Sequence, residues 1–173
     1  MISPIFRCAL YIGMIALTSV LTGCVGINQN LLLDRGTKVE ISDVSSTSFV
    51  SNALANSREG VDMLKKRIME LTKEELAKRS IEALLQPTPG AAKLKYDIRT
   101  VSSGYRIIGS GYGIIGIDKF EVKYRVSLET PDGKVIFADQ DEKDDNDLDH
   151  VFEDIASRVA KNVTKSFKND LLK

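Results

Sequence analysis

Apolar and polar residues alternate with period two along residues 120–129. Phe120, Val122, Tyr124, Val126 and Leu128 fall on one side, and Glu121, Lys123, Arg125, Ser127 and Glu129 on the other. That pattern predicts a strand with one face in a core and one in water. Thr130-Pro131-Asp132-Gly133 follows as a turn, because proline presets φ and glycine accepts the positive φ that closes a hairpin. The return strand is expected over about 134–139. Upstream, Leu94, Tyr96 and Ile98 alternate with Lys95, Asp97 and Arg99 and predict a strand reaching Val101. Residues 38–44, with Val39 and Ile41 apolar, predict a first strand. The Ser- and Asn-rich residues 45–57 read as a loop, although Phe49, Val50 and Leu54 in it call for cover.

Two stretches carry helical periodicity instead. Val61, Leu64, Ile68 and Leu71 repeat at spacings of three and four within a helical region expected over 57–86. Leu76, Ala77, Ile81, Leu84 and Leu85 would lie on nearly the opposite side of a continuous helix. Thr72 and Glu75 have the form of a capping box. Either the helix breaks at Thr72, or it is long and its halves face different neighbours. Pro87-Thr88-Pro89-Gly90 ends the region. The last helix has a stripe of Leu148, Val151, Phe152, Ile155, Val159, Val163 and Phe167. Asp144, Asp145, Asp147 and Asp149 crowd its start, and Lys161, Lys165 and Lys168 its end, as the helix dipole favours. The predicted fold is α+β: an antiparallel sheet of about four strands, a helical segment after the first strand, and a C-terminal helix on one face.

The N-terminal run has a different character. Arg7 precedes a continuously apolar or small stretch over residues 8–20, which is too short to span a bilayer and has the length of a signal-peptide core. It closes on Leu21-Thr22-Gly23-Cys24, which resembles the lipobox of bacterial lipoproteins. The resemblance implies cleavage before Cys24 and acylation of Cys24, so that residues 1–23 are the signal and residues 24–34 the lipidated N-terminus and tether. Residues 35–173 then form a single periplasmic domain. Two or three acyl chains make a lasting anchor, since each buried methylene contributes about 0.8 kcal/mol. Val25, where an aspartate usually marks inner-membrane retention, implies the outer membrane. Ile27 and Leu31-Leu32-Leu33 make the tether apolar enough to pack on the domain or the membrane surface.

Composition narrows the chemistry. The chain has 24 basic and 24 acidic side chains, and removing the signal takes away only Arg7, which leaves a balance of −1. No basic excess points to nucleic acid. Cys8 leaves with the signal and Cys24 is acylated, so no thiol remains for a disulfide, redox motif or metal. Trp is absent, so the core is mainly aliphatic.

Three stretches invite functional readings. Gly111, Gly113 and Gly116 match G-x-G-x-x-G, but a strand follows where a dinucleotide site needs a helix N-terminus. The alternatives are a glycine-rich connection or bent strand, or an apolar loop in which Tyr105, Ile107, Ile108, Tyr112, Ile114, Ile115 and Ile117 contact a partner or lipid. Asp145, Asp147 and Asp149 sit at the first three ligand positions of an EF-hand-like loop, but His150 replaces its glycine and Ala156 its bidentate glutamate. A solvated turn before the last helix is expected there. His150 is the only histidine and lacks a G-x-S-x-G serine elbow, so no catalytic residue, metal site or cofactor is expected beyond the lipid on Cys24.

The order Gly-Tyr-Arg-Ile-Ile-Gly-Ser-Gly-Tyr-Gly, amphipathic strand, Pro-Asp-Gly-Lys-Val-Ile-Phe is similar to a family of small bacterial lipoproteins with a Gly-rich segment before a β-meander. The similarity covers about 94–167. The family has no assigned reaction; the resemblance implies a role in envelope assembly or transport. The expected function is therefore a non-enzymatic, lipid-anchored accessory or docking subunit with an envelope protein partner. The alternative is a periplasmic carrier or sensor that holds a small apolar ligand between sheet and helix.

Overall fold

The computed structural model describes residues 26–46, 49–50, 58–110 and 113–168. The signal segment, Cys24 and Tyr112 lie outside the described residues. Six strands and two α-helices follow in the order β1 (Val39–Ser46), β2 (Phe49–Val50), α1 (Arg58–Ala77), β3 (Ala83–Leu84), β4 (Ala92–Ser110), β5 (Gly113–Glu129), β6 (Val135–Asp145) and α2 (Leu148–Lys165). A short 3-10 turn, Gln29–Leu31, precedes them. The sheet order is β3-β1-β4-β5-β6, with β2 continuing the β1 side of β4.

The sheet is mixed, which corrects the expected antiparallel sheet of about four strands. β4, β5 and β6 form the predicted meander, but β1, β2 and β3 all run parallel to their neighbours. Parallel neighbours need a long crossover, and α1 supplies it between β1 and β3. Residues 45–57 also depart from expectation, since Ser45 and Ser46 extend β1 and Phe49–Val50 forms β2.

Both helices cover the apolar face of the sheet. Leu94, Tyr96, Ile98, Val101, Val122, Tyr124, Val126, Leu128 and Phe137 face them and are buried. Ile68, Leu71 and Leu76 meet them from α1, and Val151, Phe152, Ile155, Val159 and Val163 from α2. Each such aliphatic side chain contributes about 1.5–3 kcal/mol on burial. Three bulges keep the apolar set on this face. Ladder shifts at Ser42, Arg99 and Ile136 explain why the buried positions jump from Ile41 to Val44 and from Ile98 to Val101, and why Ile136 and Phe137 are both buried.

Helix α1 neither breaks at Thr72 nor reaches residue 86. Thr72 is fully buried and belongs to the same stripe as Ile68 and Leu76. The helix stops at Ala77 in a Schellman motif: the Ile81 amide donates to the Leu76 carbonyl at 3.0 Å and the Ser80 amide to Ala77 at 3.0 Å. Ser80 sits at φ 59° where glycine is usual. The displaced stripe of the sequence belongs to the turn and to β3.

Helix α2 matches its prediction. Asp147 caps it, accepting from the Asp149 amide at 2.8 Å, and Ser166 ends it. Asp144 and Asp145 lie at the end of β6 instead, because that strand extends beyond the expected 139. At the β5–β6 turn, Gly133 adopts φ 82° and the Thr130 amide donates to the Lys134 carbonyl at 2.8 Å, as the sequence predicts.

Candidate interaction site

The glycine-rich segment is not a loop. Residues 103–110 and 113–120 pair in one unbroken antiparallel ladder from Ser103↔Phe120 to Ser110↔Gly113. Glycine is a poor strand former, so the run reads as a connection in sequence. The register compensates: Gly109 lies opposite Ile114, and Gly116 opposite Ile107. Ile108 pairs with Ile115, Arg106 with Ile117 and Tyr105 with Asp118. The six described members of the expected interaction surface (Tyr105, Ile107, Ile108, Ile114, Ile115, Ile117) thus lie on one two-stranded ribbon.

That ribbon extends past the sheet. β2 leaves β4 at Ser102, and β6 leaves β5 at Phe120. Beyond these points, among the described residues, β4 and β5 pair only with each other. The extension reaches about 23 Å at 3.3 Å per residue. A two-stranded ribbon is marginal alone and leaves a row of unpaired backbone groups along each edge.

The opposite end of the sheet holds the tether. The Asn28 amide donates to the Ile136 carbonyl at 2.8 Å, and the Asn28 side chain caps the 3-10 turn. Leu33 is buried and bridges the chain after α2: its amide donates to Ser166 at 2.8 Å, and its carbonyl accepts from Lys168 at 2.9 Å. Ile27 and Leu31 pack against the core. The apolar residues of the tether therefore dock on the domain from Ile27 onward.

The sheet's outer face is polar and paired. Lys95 meets Glu129 at 2.8 Å, and Lys123 lies between Glu142 at 3.2 Å and Glu121 at 3.3 Å. The hydrogen bond that Lys123 donates to Glu142, then the one to Glu121, raises the Lys123 pKa.

One polar network escaped the sequence reading. Arg158 on α2 grips buried Asp139 through Nε at 3.1 Å and also pairs with Asp141. Asn162 donates to Asp139 at 3.4 Å. The Tyr124 hydroxyl has no partner, and burial raises its pKa. The network fixes α2 on β6; its signal was an aspartate two residues after the core-facing Phe137 of a strand. Asp147 is spent as a helix cap and Asp149 pairs with Arg67 at 3.1 Å, so neither carboxylate is arranged around a common point. Among the described residues no group of three or more His, Cys, Asp and Glu side chains is gathered to hold a metal. His150 is exposed in the first turn of α2.

The layer between sheet and helices is filled by Tyr96, Tyr124, Phe137 and Phe152. A groove of about 520 Å³ lies instead at the tether end, lined by Arg35, Arg79, Glu82, Thr164, Phe167 and Lys168 among others. Four of its lining residues, Arg35, Arg79, Glu82 and Lys168, are charged, and Ile81 and Phe167 are the apolar ones. Among the described residues no helix is long and apolar enough to cross a membrane.

No protein-family model and no curated protein matches the sequence. Solved structures do. The PelC dodecamer from Paraburkholderia phytofirmans superposes with a TM-score of 0.53 at 14% identity, over 86% of this chain and 100% of that one. A minor lipoprotein from Acinetobacter baumannii matches at TM-score 0.37 and 9% identity, over 71% of this chain and 92% of that one. Rare lipoprotein B from Shewanella oneidensis matches at TM-score 0.33 and 9% identity, over 72% of this chain and 92% of that one. Two of these three structural neighbours are named as lipoproteins. What the comparisons show is a likeness of overall fold to the PelC structure.

Proposed function

We propose that this chain is a non-enzymatic lipoprotein of the bacterial envelope, anchored in the outer membrane through Cys24 with its domain in the periplasm. It acts as an accessory or docking subunit of an envelope assembly or transport complex, and the β4–β5 ribbon is its contact element. The observation that carries this reading is the ribbon itself. Eight residues of β4 and seven of β5 continue past the sheet, rich in isoleucine and without a third strand among the described residues. Marginal two-stranded ribbons gain most from a partner that covers a face or adds a strand. The lipobox-like sequence before Cys24 supports the anchor. The dodecameric state named for the PelC neighbour makes further copies of this chain one candidate partner.

The test is crosslinked affinity capture of the tagged full-length protein from envelopes, with Cys24→Ser as the unanchored control. A near-stoichiometric partner, weakened in the control, is expected. Substituting Ile114 and Ile115 together by Asp is expected to abolish capture and leave the thermal transition of the purified domain in place. Capture that survives the double substitution removes the ribbon from the interface.

A further inference from the structure

The docked tether, taken together with the direction of β4, orients the domain on its membrane. This step rests on the proposed acylation of Cys24. The chain is held from Asn28 onward by the Asn28–Ile136 hydrogen bond, and again by Leu33 between Ser166 and Lys168. Three residues lie between Cys24 and Asn28, and the four Cα steps reach about 14 Å at full extension. The Ile136 level is also where β4 begins and β5 ends, since Lys93 lies opposite Glu129 and Glu129 opposite Val135. From there β4 runs to Ser110, about 55 Å away at 3.3 Å per residue.

A leash that short cannot let the body turn over. A second posture within reach lies along β6, which is the edge strand beside the leash. That posture presses the far end of β6 against lipid phosphates, where Asp145 and Asp147 accept from backbone amides, while Asp141, Glu142 and Asp144 are offset by Arg158, Lys123 and Lys119. The sheet end instead offers Val135, an exposed apolar residue at 48%, beside a turn in which Lys134 and Asp132 offset each other at 2.8 Å. We infer that the β5–β6 turn and the docked tether face the lipid headgroups, and that the β4–β5 ribbon stands away from the membrane, pointing into the periplasm. The docking partner is then met at a distance from the bilayer of roughly the length of β4.

The mature chain carries no cysteine besides Cys24, so single labels are clean. The acylated full-length protein is purified and reconstituted in vesicles of phosphatidylethanolamine and phosphatidylglycerol carrying an energy-transfer acceptor on the headgroup. A donor is placed on V135C or on S110C. The expected result is a large loss of donor emission at position 135 and little at position 110. Inserting twenty Gly/Ser residues between Val25 and Gly26 should lessen the loss at 135 without releasing the protein from the vesicles. Equal loss at both positions in protein that floats with vesicles overturns the orientation and leaves the anchor intact. Protein that lacks the acyl mass on Cys24 and fails to float overturns the anchor, and the orientation with it.

Discussion

Thr72 and Tyr96 share a hydrogen bond of 2.8 Å in the core, and the Thr72 hydroxyl also donates to the Ile68 carbonyl at 2.7 Å. Replacing Thr72 by Val keeps the shape and orphans the Tyr96 hydroxyl, which is 1% exposed. A loss of about 1–2 kcal/mol is expected in urea denaturation, the desolvation cost of one unpaired buried donor. Tyr124→Phe is the opposite case. Its hydroxyl is already without a partner, so removal is expected to be neutral or to stabilise by up to about 1 kcal/mol. A loss as large as that of the Thr72 variant would mean that an ordered water serves Tyr124. Ser80 gives a third residue-scale prediction. At φ 59° it occupies the left-handed position of the Schellman motif, and Ser80→Gly should raise stability by about 1 kcal/mol in the same assay. In sequence, Thr72 resembled a helix start because threonine followed three residues later by glutamate is a capping pattern. Its hydroxyl was instead satisfied by Tyr96, from a strand distant in the chain.

At the scale of elements, legibility followed how local the determining contacts are. Helix α2 was readable because its stripe, acidic cap and basic end all lie within one segment. β5 was readable over 120–129 because the face it buries alternates with a polar one. Beyond Phe120 the same strand continues through Asp118 and Gly116, where composition alone argues against a strand. Cross-strand pairing with 103–110 decides the matter there. The ribbon extends past the ends of both flanking strands, so it should be dispensable for folding. Replacing residues 104–119 by an Asn-Gly turn is expected to leave the thermal transition cooperative and shifted by only a few degrees. Partner capture should be lost from the same variant. A truncated domain that fails to fold would show that the ribbon belongs to the folding unit.

At the scale of the whole molecule, the sequence by itself determined the alternation of β4 and β5, the hairpin at Gly133, the stripe of α2 and the apolar, lipobox-like run before Cys24. Each of these depends on residues a few positions apart, where propensity and periodicity act directly. Only the tertiary structure decided the direction of β1 and β3, since an alternating strand carries no mark of whether its neighbour runs parallel. It also decided the end of α1 at Ala77 and the bulges that shift the buried phase. The candidate site divides in the same way. Its isoleucines were visible as an apolar, uncharged stretch, but their pairing into a projecting ribbon was not. Nor was the docking of Leu33 beside Ser166, more than 130 positions along the chain. Such contacts are selected by the free energy of burying a shared core, which depends on all the elements at once and is written in no single segment.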